Sequence, residues 1–282
     1  MFEFTLGPVA LCAPGPTDGQ DEHAGLPPDL HEVIGTAGDR FRDPFTRICL
    51  YLALGCAETA GERDDDTVVI GTEYGNTAAL VGLQREAATK GRLLSAQNFP
   101  NATSSSASAF VNLRIGSTGR NMTINAGVLT PVMAMWQALS ALDQDRSAVS
   151  RLLIGDVYAP EAAEDAALDT GDAPCTDGVA HAFLRKGAEF TAEFVFGATG
   201  EPHPGPVRSV LRAGALGSEA GDAEPVPFAE RNSAFATRAF LDLVHTLAPA
   251  EAAALECHAP DGRHATVTVT RQHANSTNGR SL

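Results

Sequence analysis

The stretch Gly119-Arg-Asn-Met-Thr-Ile-Asn-Ala-Gly-Val128, which runs on into an apolar segment ending at Leu142, decides the fold of this chain. Its first part predicts a short strand over Met122–Asn125. Its second part predicts a helix over Val128–Leu142, with Pro131 in the first turn, where a missing N–H costs little. Apolar residues surround most of this helix, so we expect it to be central and buried.

Strand-like and helix-like segments alternate along the rest of the chain, which favours a layered α/β architecture over a helical bundle or a β-sandwich. Further strands are predicted over Phe2–Leu11, Asp66–Thr72, Ser150–Tyr158, Gly178–Arg185, Glu193–Phe196 and Ala265–Arg271. Further helices are predicted from Pro44, with Asp43 as N-cap, to Ala60, and over Asn76–Glu86, Ala102–Ile115 and Ser233–Leu247. Glu161–Gly171 is expected to be an acidic excursion and Arg208–Gly221 to be rich in loops.

Composition limits the classes of partner. The chain has 282 residues, 44% of them hydrophobic, and can bury a large core. Its formal net charge of -15 argues against nucleic acid or an anionic membrane surface as a partner, because the main electrostatic term would be repulsive. The first residues lack the basic and apolar regions of a secretory signal, and the five cysteines are scattered. We therefore expect a cytoplasmic protein with reduced thiols.

Four further motifs point to one family. The runs Gly71-Thr-Glu-Tyr-Gly-Asn76, Asn98-Phe-Pro-Asn-Ala102, Leu113 to Gly127 and Leu152-Leu-Ile-Gly-Asp156 agree in order and spacing with the first half of the ketosynthases of the thiolase superfamily. The chain resembles that family over residues 1–187, and more loosely beyond, where Asn232 begins a segment similar to the family's G-H-x-x-G-A-x-G helix without its histidine.

This resemblance implies a thiolase-like layered αβαβα fold with a truncated C-terminal half. Residues 1–187 would form the N-terminal ketosynthase-like half and residues 188–271 the shortened second half of the same domain. Residues 272–282, rich in Asn, Ser, Thr and Gly, would be a flexible tail.

The resemblance also shows which catalytic groups are missing. Val128 occupies the position of the ketosynthase cysteine, and a valine side chain cannot attack a thioester. Decarboxylative condensation needs a thiolate and paired histidines, yet the family's H-G-T-G-T motif has no match and the eight histidines fall outside the expected motifs. We therefore expect an inactive ketosynthase homologue with no catalytic residue, no cofactor and no metal.

Degenerate ketosynthases that pair with an active one are the chain length factors of type II polyketide synthases, and this chain resembles the shortened form found in highly reducing and polyene systems. The resemblance implies a heterodimer with a catalytic ketosynthase subunit. The sheet would continue across the interface through the strand formed by Met122, Thr123, Ile124 and Asn125.

In that arrangement the growing acyl chain, supplied by an acyl carrier protein and held on the partner's cysteine, would extend into a tunnel closed by this subunit. The resemblance gives the lining candidates as Asn98, Phe99, Thr103, Ser104, Ala107, Phe110, Val128 and Met133. Two roles stay open for each of them, contact with the acyl chain or packing within the subunit. Large, apolar and adjustable Phe and Met side chains suit a gate that sets chain length by volume.

Two rival functions belong to other classes. One is a stand-alone acyl-binding or scaffold protein of the same fold, which would expose less apolar surface than an obligate subunit. The other is an enzyme with a different nucleophile, such as Ser104 or Ser105, although neither lies in a G-x-S-x-G elbow. Cys257 and His258 are adjacent, and on an extended strand their side chains would point to opposite faces.

Overall fold

The computed structural model describes residues 1–13, 26–56, 64–91, 94, 96–170, 173–199, 209–215, 226–228 and 230–273. The strands in these ranges are β1 (Phe2–Cys12), β2 (Thr67–Gly71), β3 (Asn121–Ile124), β4 (Val149–Asp156), β5 (Gly178–Ala198), β6 (Ser209–Ala215), β7 (Val226–Pro227), β8 (Glu251–His258) and β9 (Arg263–Arg271). The helices are α1 (Leu30–Ile34), α2 (Pro44–Gly55), α3 (Thr77–Lys90), α4 (Ser106–Arg114), α5 (Thr130–Asp143), α6 (Pro160–Thr170) and α7 (Ser233–Thr246).

The two halves of the chain repeat one strand order. The first half is ordered β3-β2-β4-β5-β1 and the second β7-β6-β8-β9-β5, so that β5 belongs to both. Its first part, through Arg185, pairs with β4, and its second part, from Phe190, pairs with β9. The proposed boundary between residues 187 and 188 lies between these parts, where the register of β5 against β1 shifts.

The second half departs from the first in strand direction. Strand β2 runs parallel to β4, whereas β6 runs antiparallel to β8. The connection from β6 to β7, residues 216–225, is shorter than the roughly one dozen residues that a parallel crossover needs. Strand β6 therefore keeps the place in the order that β2 has in the first half, but it runs in the opposite direction.

Helices α5 and α7 form the middle layer. Both are buried along most of their length, and their side chains form the first core cluster together with the inner faces of both parts of the sheet. The prediction of a central, buried helix after Gly127 is thus confirmed. A second core cluster lies on the other face of β2 and β4, under α1, α2 and α4. In the described residues, the helices that pack on β8 and β9 are α5 and α7, both from the inner side.

Helix α6 and strands β6 and β8 were not expected from the sequence, and neither were the short elements α1 and β7. The acidic excursion is the helix α6, because Ala162 and Ala166 lie one turn apart on a buried face and alanine has the highest helix propensity. Part of the expected loop after Arg208 is the strand β6. Strand β8 was missed because its alanine-rich sequence lacks β-branched residues, although its burial alternates as in any half-buried strand.

Several helix boundaries also differ: α3 extends to Lys90 and not only to Glu86, and α5 begins at Thr130 and not at Val128. Helix α4 begins at Ser106 and not at Ala102, because the Ser106 hydroxyl donates to the carbonyl oxygens of Pro100 and Thr103 and holds the preceding residues in a turn. Helix α2 is described to Gly55, and the predicted end at Ala60 lies outside the described residues, as do residues 274–282 of the expected tail. None of the helices in the described ranges has the length and hydropathy that crossing a bilayer would require.

A buried asparagine ties α7 to the sheet. The Asn232 side-chain oxygen accepts the Ala234 N–H and so caps α7, while its amide nitrogen donates to the backbone oxygens of Asp156 (2.9 Å) and Gly178 (3.0 Å). Gly155 lets β4 and β5 approach here, since its φ is 149° and a Cβ would lie 2.1 Å from the Gly178 oxygen. The end of β4, the start of β5 and the start of α7 therefore meet at one side chain.

The Asn232→Ala variant should lose about 3 kcal/mol of the free energy of unfolding, because it removes a helix cap and leaves buried carbonyl groups without a donor. Chemical denaturation measures the loss. Asn125→Ala is the matched control, because the Asn125 amide donates to the Glu73 oxygen at the surface and its removal should cost less than about 1 kcal/mol. Equal losses in the two variants would contradict the role given to Asn232.

The buried His181 should make the fold sensitive to acid. Its ring packs on Phe183, its nitrogens form no hydrogen bond within the described residues, and burial, with Arg151 nearby, lowers its pKa from 6.5 to about 3. The unfolded chain therefore binds a proton below pH 6.5 that the folded chain does not bind. The free energy of unfolding should fall by about 1.4 kcal/mol per pH unit between these two values.

Denaturation at pH 7 and pH 5 measures this term as a difference between variants. Between pH 7 and pH 5 the parent chain should lose about 2 kcal/mol of its free energy of unfolding through His181, and His181→Leu should not show this loss. His273→Gln, which changes an exposed histidine, should behave like the parent. An identical pH dependence in the parent and His181→Leu would show that His181 is not held neutral by burial.

Candidate functional site

Val128 lies two residues before α5 begins at Thr130, at the position that the sequence resemblance gave to the missing nucleophile. Gly127 takes a left-handed conformation (φ 58°), and the Ala126 N–H donates to the Thr130 hydroxyl, which fixes the turn into the helix. The Val128 side chain is buried in the first core cluster. The turn that would present a thiol at a helix N-terminus is therefore formed, and an aliphatic side chain fills it.

A cleft of about 360 Å³ opens beside this turn. The described residues that line it are Glu73, Tyr74, Asn125, Ala126, Gly127, Val128, Asp165, Arg231, Ala259, Pro260, Asp261 and Arg263. This set contains carboxylates, guanidinium groups and one phenol, but neither a thiol nor an imidazole. It lacks the groups with which covalent acyl transfer is usually carried out.

The polar side chains of the cleft bind one another. The buried Arg231 guanidinium pairs with Glu73 at 3.2 Å and donates to the Tyr74 hydroxyl, which in turn donates to Asp165. Burial raises the pKa of Tyr74 to about 12, so the phenol is neutral at pH 7. Burial alone would lower the pKa of Arg231. The charge of Glu73 and the hydrogen bond to Tyr74 have the larger combined effect, so the pKa of the guanidinium is raised. A compensated ion pair therefore occupies this part of the cleft.

The turn that carries Glu73 and Tyr74 is held by Asp156 at the end of β4. The Asp156 carboxylate accepts the Thr72 hydroxyl and the N–H groups of Glu73 (3.0 Å) and Tyr74 (2.8 Å). Burial, with Glu73 adding to it, raises the pKa of Asp156 to about 7. The structure thus joins the motifs Gly71–Asn76 and Leu152–Asp156, and Asp156 acts as an anchor away from solvent.

Sequence reasoning quoted both motifs but missed their contact. The contact requires β2 and β4 to be parallel neighbours, which the sequence pattern does not show. Such strands bring the residues at their carboxyl ends together, and an aspartate there can accept several N–H groups at once.

The eight lining candidates lie in different places. Ala107 is buried in the second core cluster and Phe110 packs against it, with the Arg42 guanidinium 5.7 Å from its ring. Val128 and Met133 belong to the first core cluster, on the other side of the sheet. The remaining four lie before or at the start of α4 and are Asn98, Phe99, Thr103 and Ser104. The single chain does not bring all eight into one cavity.

Within that last group, Phe99 is 52% exposed, and Thr103 and Ser104 are exposed as well. Asn98 donates to Glu86 and lines a second cleft of about 470 Å³ between the start of α2 and α3.

This second cleft was not foreseen. Three arginines, Arg40, Arg42 and Arg47, line it opposite small residues of α3, and Arg42 and Arg47 both pair with the buried Asp39. Asp43 lies at its base, where burial raises its pKa to about 6. The cleft is therefore a locally basic feature on an acidic protein. Its sequence signal was the run Arg40-Phe-Arg42 with Arg47 one helical turn into α2.

Strand β3 ends the sheet. In the described residues it pairs with β2 alone. The backbone oxygen of Arg120 accepts the Val68 N–H, and that of Ile124 accepts the Thr72 N–H. Since alternate residues of a strand direct their backbone groups to opposite sides, Asn121 and Thr123 direct theirs to the open edge. Helix α4 packs behind the strand, with Thr123 bonded to Ser108, and exposes Leu113 at 73%.

The rival nucleophiles are not assembled into a catalytic pair. The Cys257 side chain is buried in the first core cluster, whereas His258 lies on the other face of β8 beside Glu256, as expected for neighbours on a strand. Ser104 and Ser105 are exposed at the start of α4.

No family model and no curated protein matches this sequence. Solved structures match over most of the chain. The structure described as the ishigamide ketosynthase/chain length factor has a TM-score of 0.65 at 14% identity, over 88% of this chain and 86% of that chain. The ketosynthase ApeO in complex with its chain length factor ApeC, from Xenorhabdus doucetiae, has a TM-score of 0.61 at 11% identity, over 96% and 100%.

A third match is AntDE:AntF, a type II polyketide synthase acyl-carrier protein in complex with its ketosynthase, with a TM-score of 0.61 at 12% identity over 96% and 99% of the two chains. A β-ketoacyl synthase from Burkholderia phymatum STM815 has a TM-score of 0.58 at 9% identity over 91% and 87%. Together with the repeated strand order and the two central helices, these likenesses establish that the chain has the layered, thiolase-like fold of the ketosynthase and chain length factor proteins.

Proposed function

We propose that this chain is a non-catalytic chain length factor. It pairs with a catalytic ketosynthase of a type II polyketide synthase and closes the interface tunnel that holds the growing acyl chain of a polyketide or polyene. The observation that carries the proposal is the open edge of β3, whose outward backbone groups at Asn121 and Thr123 are unpaired within the described residues. Two of the solved structures of the same fold are described as a ketosynthase with its chain length factor, which supports the choice of partner.

The filled nucleophile position supports a non-catalytic role. A thioester-forming subunit needs an ionisable thiol at the start of α5, and Val128 provides only methyl groups there. The adjacent cleft is occupied by the Arg231–Glu73 pair, and its described lining holds no imidazole to stabilise an enolate. The catalytic groups of the complex would therefore all come from the partner.

The open edge supports pairing with a partner strand. An exposed strand edge is a template for another chain, and soluble proteins usually cover or charge it. Here β3 carries Met122 and Ile124 toward the core and no ionisable side chain. A stable interface buries about 1,200 to 2,000 Å², which a four-residue strand cannot supply alone. The exposed Leu113 on α4 and the exposed Phe99 would add apolar area.

The positions of the lining candidates fit a tunnel that exists only in the complex. Phe99, Thr103 and Ser104 are exposed in the single chain and would be covered by the partner. Ala107, Phe110, Val128 and Met133 pack within the subunit and would shape the wall from behind. The acyl carrier protein would deliver its cargo to the ketosynthase in the cytoplasm, and the halves 1–187 and 188–271 would act as one body through β5.

Co-expression with the ketosynthase encoded beside this chain tests the proposal. Native mass spectrometry should show a one-to-one complex, and Thr123→Pro should weaken it at least a hundredfold, because proline removes the outward N–H and leaves the bonds to β2 in place. Thr123→Val is the matched control, because it removes the hydroxyl that binds Ser108 but keeps the N–H.

A well-behaved monomer or homodimer that ignores the ketosynthase would overturn the proposal and favour the stand-alone acyl-binding protein. Equal weakening by Thr123→Pro and Thr123→Val would locate the effect in the side chain and not in strand pairing.

Product length tests the gating role. In the reconstituted complex, Phe99→Ala and Phe110→Ala should each lengthen or broaden the distribution of acyl products, because a smaller side chain leaves more volume, while the decarboxylation rate stays within about twofold. Mass spectrometry of the released chains measures the distribution. Leu168→Ala, at an exposed position on α6, is the control. Unchanged product lengths in both phenylalanine variants would remove these residues from the tunnel.

A further inference from the structure

Each of the two parts of the sheet has an open edge. In the first half the open edge is β3. In the second half it is the end of β5, because β1 begins at Phe2 opposite Ala192 and, within the described residues, the segment 193–198 pairs with β9 alone. Helix α5 packs on both parts, since it contacts β3 in the first half and β8 and β9 in the second.

Four aromatic side chains from β1, β5 and α5 form a row next to the open end of β5. The Phe2 and Phe194 rings are 5.5 Å apart, those of Phe194 and Phe196 are 6.3 Å apart and stacked, and that of Trp136 on α5 lies 5.9 Å from Phe196. Phe196 is 46% exposed, and the other three are partly buried. Because these rings remain partly exposed to water in the single chain, a partner that covered them would bury further apolar surface, which is favourable.

The aromatic row continues to the edge of β3. Met133 precedes Trp136 by one turn of α5 and is partly exposed on the same face. Met122 and Ile124 of β3 pack on the same core cluster as Met133 and Phe194. The residues that define this strip are Phe196, Trp136, Met133, Met122 and Ile124, none of them ionisable, on a chain whose net charge is -15. A protein strand added to β3 would lie at one end of this strip.

We infer that the aromatic row of Phe2, Trp136, Phe194 and Phe196 is a second contact for the partner that pairs with β3. The interface would then include the second-half part of the sheet as well as the first-half part. This inference rests on the proposed function. The occupant is the ketosynthase subunit and not a second copy of this chain, because two chains of charge -15 repel each other whereas the strip itself carries no charge that would offset the repulsion.

Trp136 is the anchor of this contact. Tryptophan is among the residues that contribute most at interfaces when it is central and fully desolvated. Trp136 contacts the exposed Phe196 and lies one turn after Met133 on α5. It is also the single tryptophan of the chain.

Two glutamate variants on neighbouring residues of β5 test the inference. Phe196→Glu places a charge in the aromatic row. Val195→Glu is the matched control, because Val195 is 59% exposed and its side chain points to the opposite face of the same strand. In dilution experiments on the co-purified complex, Phe196→Glu should raise the dissociation constant at least tenfold, and Val195→Glu should change it less than twofold.

Covalent footprinting of the unaltered complex provides a second measurement that does not depend on a variant folding. Leu168, which is 85% exposed on α6, serves as the internal reference. Labelling of Trp136 and Phe196, relative to Leu168, should be at least fivefold lower in the complex than in the dissociated chain.

The outcomes separate this inference from the proposed function. A complex that forms while Trp136 and Phe196 label as in the free chain, or in which both glutamate variants bind like the parent, overturns the second contact and leaves strand pairing at β3 standing. Absence of any complex overturns the proposed function and the inference with it. A homodimer that protects the aromatic row would assign the contact to a second copy and overturn the choice of occupant.

Discussion

The fold depends on a buried carboxylate and a buried amide that meet at the end of β4. The Asp156 side chain holds the turn after β2, and its backbone oxygen accepts a bond from Asn232, which caps α7. The turn after β2, the β4–β5 junction and one central helix are thereby fixed against each other. Both residues are about 1% exposed, and the polar atoms of both side chains form hydrogen bonds to backbone groups, as buried polar groups require.

This anchor explains how the fold can be kept whatever side chain stands at position 128. The turns at Gly127 and after β2 are fixed by hydrogen bonds from backbone N–H groups to the Thr130 and Asp156 side chains, in which residue 128 takes no part. The Val128 side chain packs in the first core cluster. The Arg231–Glu73 pair then lies beside it, where two opposite charges stabilise each other out of water.

The sequence allowed the fold to be predicted where one pattern dominated. Helix α5 and strand β2 are apolar on most faces, so their burial was evident from residue type alone. Strand β8 and helix α6 are both rich in alanine, which gives little contrast between faces, and neighbours in space decided which became strand and which became helix. For the site, the sequence pattern shows that Val128 precedes the central helix, whereas the Asp156 contact depends on strand adjacency, which a sequence pattern does not state. The arginines of the second cleft converge only because α1, α2 and α3 are packed as they are.

The pairing of β1 with β5 has a consequence for the synthesis of the chain. Phe2 pairs with Ala192 and Cys12 with Val179, so β1 leaves the ribosome long before the strand with which it pairs. At about 5 to 20 residues per second, β1 waits roughly 10 to 40 seconds before β5 has been translated. During that time an apolar N-terminal strand is available to other chains. Contacts of such long sequence separation also slow folding itself.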